Sequence, residues 1–104
     1  REFLYVDDLA DALIFLMENY NESDIINVGT GTDLTIKELA ETIAGVVGFT
    51  GKMIFDITKP DGTPQKLVDT TKINQLGWSA KTTMSEGLSH TYTWYKEQYH
   101  AQRF

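Results

Sequence analysis

Two copies of one short pattern, Thr35-Ile36-Lys37-Glu38 and Thr83-Met84-Ser85-Glu86, constrain the fold of this 104-residue chain more than any other feature. In each, the threonine hydroxyl accepts the amide three residues on, and the glutamate carboxylate accepts the threonine's own amide. Together they satisfy donors that a helix's first turn leaves unpaired. The spacing predicts a helix from Thr35 through Leu39, Ile43, Val46 and Val47, stopped by Gly48 in a left-handed conformation. It predicts a second helix from Thr83 to about Tyr99.

Two more helices follow from periodicity. After Asp7-Asp8, apolar residues recur at Leu9, Leu13, Leu16, Met17 and Tyr20, a helical spacing expected to face the core. Asp8 and Asp11 suit the positive end of that helix's dipole. Thr70 or Thr71 caps a short helix ending at Leu76-Gly77. Between the helices, residues 3–6, 24–28 and 52–55 read as short buried strands, and Leu67-Val68 as a brief extended stretch. Residues 29–32 form a turn, and residues 58–64, holding both prolines, an exposed loop. The expectation is therefore α/β (α+β): three short strands with three to four helices, one small lobe over residues 1–104. Three such strands make no large sheet, so the lobe is expected to pack against something further. A β-prone run that starts almost at Arg1, without an initiator Met, suggests a piece of a longer protein.

Composition removes several functions. Nine Lys and Arg stand against fifteen Asp and Glu, a net charge of −6. Nucleic acids and anionic membranes select a basic face, so neither is an expected partner. The longest apolar run, residues 12–17, is far too short to span a bilayer. With no cysteine there is no disulfide, thiolate metal site or cysteine nucleophile in these residues.

Each motif that resembles chemistry has a plainer reading. Asp7-Asp8 is a carboxylate pair, but adjacent residues at a helix start diverge, which favours capping over acid–base work. Gly29-Thr30-Gly31 follows a predicted strand as a dinucleotide loop would. The third small residue that loop needs is replaced by Leu34, so a tight turn is favoured. Tyr92 and Lys96 have a Tyr-x-x-x-Lys spacing. Tyr92 nevertheless falls on the apolar stripe with Met84, Leu88, Tyr95 and Tyr99, and is read as structural. His90 and His100 have no metal-ligand spacing and are read as solvated. The segment Lys59-Pro60-Asp61-Gly62-Thr63-Pro64-Gln65-Lys66 is the most suggestive. A lysine holds phosphate as a point charge, and an aspartate accepts from ribose hydroxyls or a base edge. Arg1 adds a guanidinium fork. On composition alone, an ordinary solvated surface loop is the favoured reading.

The run Arg1-Glu2-Phe3-Leu4-Tyr5-Val6-Asp7-Asp8-Leu9-Ala10-Asp11-Ala12, the turn Asn27-Val28-Gly29-Thr30-Gly31 and the helix opened by Thr35 resemble one family. It is the extended short-chain dehydrogenase/reductases that act on nucleotide sugars. The segment from Lys59 to Asp69, followed by Leu76-Gly77-Trp78, narrows the resemblance to members acting on GDP-sugars. The resemblance implies a two-domain, homodimeric, cytoplasmic enzyme. Its N-terminal Rossmann domain would bind NADP(H) and carry the Ser, Tyr-x-x-x-Lys, Cys and His that epimerise C3 and C5 and reduce C4. This chain would be the C-terminal substrate-binding domain, without catalytic or cofactor-binding residues of its own. Arg1 and Lys66 would face the substrate pyrophosphate, and Asp61 would contact the GDP moiety. Gln65 stands where many relatives carry a basic residue. Another nucleotide-sugar epimerase, a 4,6-dehydratase, or a non-catalytic interaction module are the alternatives.

Overall fold

The computed structural model describes residues 1–101. Its helices are α1 (Val6–Asn19), α2 (Ile36–Val47), α3 (Thr71–Leu76) and α4 (Met84–Ala101). Both capping boxes form. At α2 the Thr35 hydroxyl accepts the Glu38 amide at 3.0 Å and the Glu38 carboxylate accepts the Thr35 amide at 2.8 Å. At α4 the corresponding distances are 3.2 and 3.3 Å. Gly48 ends α2 at φ 75° and Gly77 ends α3 at φ 110°, backbone positions that favour glycine. Thr70 is the N-cap of α3, but its hydroxyl caps no backbone amide and instead accepts from the Asn74 side chain at 3.1 Å. Asp69 does the capping, accepting the Thr71 amide at 2.9 Å and hydroxyl at 2.6 Å.

The core is thin. Ala12 of α1, Ile73 of α3 and Trp78 are buried, with Leu4, Phe15, Leu16, Ile26, Val28 and Ala80 packed around them. The Trp78 indole donates to Asp11 at 3.0 Å, which allows a large aromatic to be buried without orphaning its N–H. A second apolar seam joins α2 and α4, between Ile43, Val46 and Val47 on one side and Leu88, Tyr92 and Tyr95 on the other.

Two sequence expectations are corrected. The described residues contain no strand or sheet. Residues 3–6, 24–28 and 52–55 have strand-like side chains, but a strand exists only as a ladder, and these segments do not pair with one another. The nearest approach to a ladder is one reciprocal pair. Arg1 donates its backbone nitrogen to the Leu34 carbonyl at 2.8 Å, and Leu34 returns its amide at 3.0 Å. The fold is helical with long irregular connections.

The buried face of α1 also differs from the predicted stripe. Asp8, Ala12, Phe15 and Leu16 turn inward, while Leu13 is 52% and Met17 84% exposed. Asp8 does not cap its own helix, whose N-cap Tyr5 makes no side-chain cap bond. The Asp8 carboxylate instead accepts the amides of Lys81 and Thr82 and the Thr82 hydroxyl, at 3.2, 2.9 and 3.0 Å. Periodicity assigns carboxylates outward, whereas here the bare amides ahead of α4 draw one inward.

The chain spreads widely for its length. Its radius of gyration is 16.8 Å, with extents of 49 × 38 × 21 Å, against about 13 Å for a compact domain of this size. The flat shape is why so much of α1's apolar outer face lies open.

Candidate functional site

The loop rich in proline and glycine folds back onto the first two residues. The Arg1 guanidinium donates through Nη1 to the Thr63 carbonyl. A Cβ on Gly62 would stand 3.3 Å from Arg1 Nη2, so a side chain there would crowd the guanidinium. Gln65 donates its amide to Asp33 at 2.8 Å. These contacts enclose a cleft of about 490 Å³, lined among others by Arg1, Asp33, Thr35, Glu38, Asp61 and Gln65.

Glu2 works from beside Arg1. Its Oε2 accepts the Gly31 amide at 2.6 Å and the Thr30 hydroxyl at 3.2 Å, and its Oε1 accepts the Val68 amide at 3.2 Å. Consecutive residues thus hold both sides of the loop's return, Arg1 at Thr63 and Glu2 at Val68.

The electrostatics are mixed. Arg1 is the one cation among the lining residues, facing the carboxylates of Asp33, Asp61 and Glu38. Glu38 is engaged by the α2 cap and Asp33 by Gln65. A guanidinium with one N–H committed to a carbonyl keeps further donors for an anion. Carboxylates accept from hydroxyl or N–H groups and repel phosphate. The cleft therefore suits a ligand carrying both kinds of group, with its anionic part at the Arg1 end. Of the residues expected from sequence, Arg1 and Asp61 come together in this cleft. Lys66 is exposed and lies just past Gln65, outside the lining.

A model of the NAD dependent epimerase/dehydratase family matches residues 1–29. The chain is 55% identical to GDP-L-fucose synthase 1 of Arabidopsis thaliana over 95 residues, covering 91% of this chain and 29% of that protein. It is 51% identical to GDP-L-fucose synthase of Escherichia coli strain K12 over 106 aligned positions, covering 93% of this chain and 33% of that protein. The chain is a relative of the GDP-L-fucose synthases. It spans about a third of the length of the curated relatives it matches. Among solved structures, it is similar to a GDP-mannoheptose C4 reductase from Campylobacter jejuni with NADP bound. That likeness has a TM-score of 0.81 at 40% identity, covering 92% of this chain and 31% of that one.

In this relative of the GDP-L-fucose synthases the glycine turn is no phosphate cradle. The Gly31 amide that would meet a phosphate already meets Glu2. A Cβ on Gly29 would sit 2.6 Å from Val68 Cγ2 and 2.8 Å from Glu2 Oε2, so the glycine is there for close packing. Lys96 lies over the Tyr92 ring, 4.6 Å from its centroid, a cation–π contact. His90 is exposed, with its ring 5.9 Å from that of Tyr5.

Sequence reasoning missed Glu2, Asp33 and the inward role of Asp8. Glu2 left one signal, a carboxylate beside Arg1 at the head of an apolar run. Asp33 left none, because its partner Gln65 lies 32 residues away.

Proposed function

We propose that this chain is the GDP-sugar-binding, C-terminal domain of an NADPH-dependent enzyme. The reaction assigned is conversion of GDP-4-keto-6-deoxy-D-mannose to GDP-L-fucose by 3,5-epimerisation and 4-reduction. The observation that carries the reading is 51% identity to the Escherichia coli GDP-L-fucose synthase across 93% of this chain. The N-terminal Rossmann domain of the parent supplies the NADP(H) site and the catalytic groups. The parent is a cytoplasmic homodimer. The open apolar face of α1 supports a further packing partner, and the Rossmann domain is the occupant assigned to it.

In this reading the substrate spans the cleft. Arg1 and Lys66 face the pyrophosphate, whose charge is drawn to the cationic edge rather than to the carboxylates. Asp61 accepts from the nucleoside, whose hydroxyl and N–H groups fit an acceptor-only side chain. Enclosure between two domains strengthens such contacts relative to an open surface. NADPH and GDP-4-keto-6-deoxy-D-mannose are supplied to the full-length protein to test this, and nucleotide oxidation and the sugar product are followed. GDP-L-fucose formation supports the reading, and absence of turnover rejects it. Reduction at C4 without inversion at C3 and C5 would place the parent with the C4 reductases instead.

A further inference from the structure

We propose that Glu2 is a positioning residue that sets the spacing between Arg1 and Lys66. The inference rests on the reading of those two residues as pyrophosphate contacts. The loop that carries Asp61 and Lys66 is exposed along residues 51–67 and so has little packing of its own to fix it. Its return is fixed where Val68 donates its amide to Glu2 Oε1 at 3.2 Å. The other oxygen of the same carboxylate is held by Gly31 and Thr30, at 2.6 and 3.2 Å, on a turn where Gly31 at φ 77° takes a backbone conformation that favours glycine.

Glu2 therefore bridges a tight turn and a loop that is otherwise open. It does so from the position next to Arg1, whose guanidinium holds the Thr63 carbonyl. A lysine two residues before one anchor and three after the other has its backbone confined from both sides. A bridge of this kind needs two acceptor oxygens on one rigid planar group. Glutamine offers one acceptor oxygen and two N–H donors, so it can satisfy the turn or Val68 but not both. Aspartate keeps the charge but is a methylene short of spanning both segments.

A positioning role makes a prediction that a purely structural one does not. If Glu2 acts through Lys66, its removal matters only while the Lys66 ammonium is present. GDP is titrated into the full-length protein as wild type, Glu2→Gln, Lys66→Ala and the double variant. NADPH affinity and the urea midpoint of each are measured alongside. Glu2→Gln is expected to weaken GDP binding roughly 3- to 10-fold with NADPH affinity unchanged. The double variant should bind no more weakly than Lys66→Ala alone. Wild-type affinity in Glu2→Gln, or losses that multiply in the double variant, would overturn the proposal. Should Glu2→Gln fail to fold, Glu2→Asp must give the same non-multiplying loss or the proposal falls. Equal GDP affinity in wild type and Lys66→Ala would reject the pyrophosphate assignment itself, a result separable from failure at Glu2 alone.

Discussion

Asp8 accepts the backbone amide of Thr82 at 2.9 Å, across a sequence separation of 74 residues. With the Lys81 amide and the Thr82 hydroxyl on the same carboxylate, one side chain of α1 fixes the approach to α4. Asp8 is 5% exposed, so water cannot readily take its place. Asp8→Ala should destabilise the protein by on the order of 2 kcal/mol, the consequence of removing a buried acceptor and leaving three part-buried donors without it. Urea denaturation of the full-length protein measures this. Asp8→Asn, which keeps one acceptor oxygen, should lose less.

Lys66→Ala is expected to raise KM for the GDP-sugar roughly 10- to 150-fold, the loss of one charge-assisted contact. If that contact is equally strong in the ground and transition states, kcat stays nearly constant. Arg1→Ala should act in the same direction and also loosen Thr63, which the guanidinium holds. Steady-state kinetics with NADPH and sugar varied separately checks both, and KM for NADPH should stay fixed.

Tyr92→Phe should leave kcat within about threefold, since it keeps the ring that packs between α2 and α4 and removes one hydroxyl. The ring over which Lys96 sits also survives this change. A loss of several orders of magnitude in single-turnover reduction would make Tyr92 a proton donor and reject its structural assignment.

Acid should weaken the fold through Asp69 and Asp11. The Thr71 hydroxyl and amide hold the Asp69 carboxyl below its ordinary value, and the Trp78 indole with the Lys81 ammonium does the same for Asp11. A lowered folded-state pKa means the unfolded chain binds more protons in the intervening window. The stabilisation is therefore complete above the ordinary carboxylate value near 4 and is lost as pH falls through the lower folded value. Thermal unfolding from pH 7 to pH 3 should show this decline, with a shallower slope in Asp69→Asn.

The helices were legible because their signals are local. A threonine and a glutamate three residues apart, or a glycine that ends an apolar period, act within one turn, and Gly48 and Gly77 stop α2 and α3 as expected. Strands at 3–6, 24–28 and 52–55 were not legible, because β-propensity describes a side chain while a ladder requires a partner far along the chain. The buried side of α1 was misassigned for a related reason. Asp8 and Asp11 look like surface residues until the donors of residues 78–82 arrive. At the candidate site, family resemblance points to Arg1, Asp61 and Lys66; the first two line the cleft and Lys66 lies outside its lining. The bridge made by Glu2 and the Asp33–Gln65 bond join segments that no local pattern connects.

The two tryptophans divide the optical signal of this chain unequally. Trp78 is buried at the centre of the thin core with its indole N–H on a carboxylate, while Trp94 is 57% exposed. A soluble quencher such as acrylamide should reach Trp94 at once and Trp78 only when the core opens. A red shift that appears in Trp94→Phe therefore times the loss of the contacts among Ala12, Ile73 and Trp78. Emission from Trp78 gives the smallest cohesive unit of the fold a built-in clock.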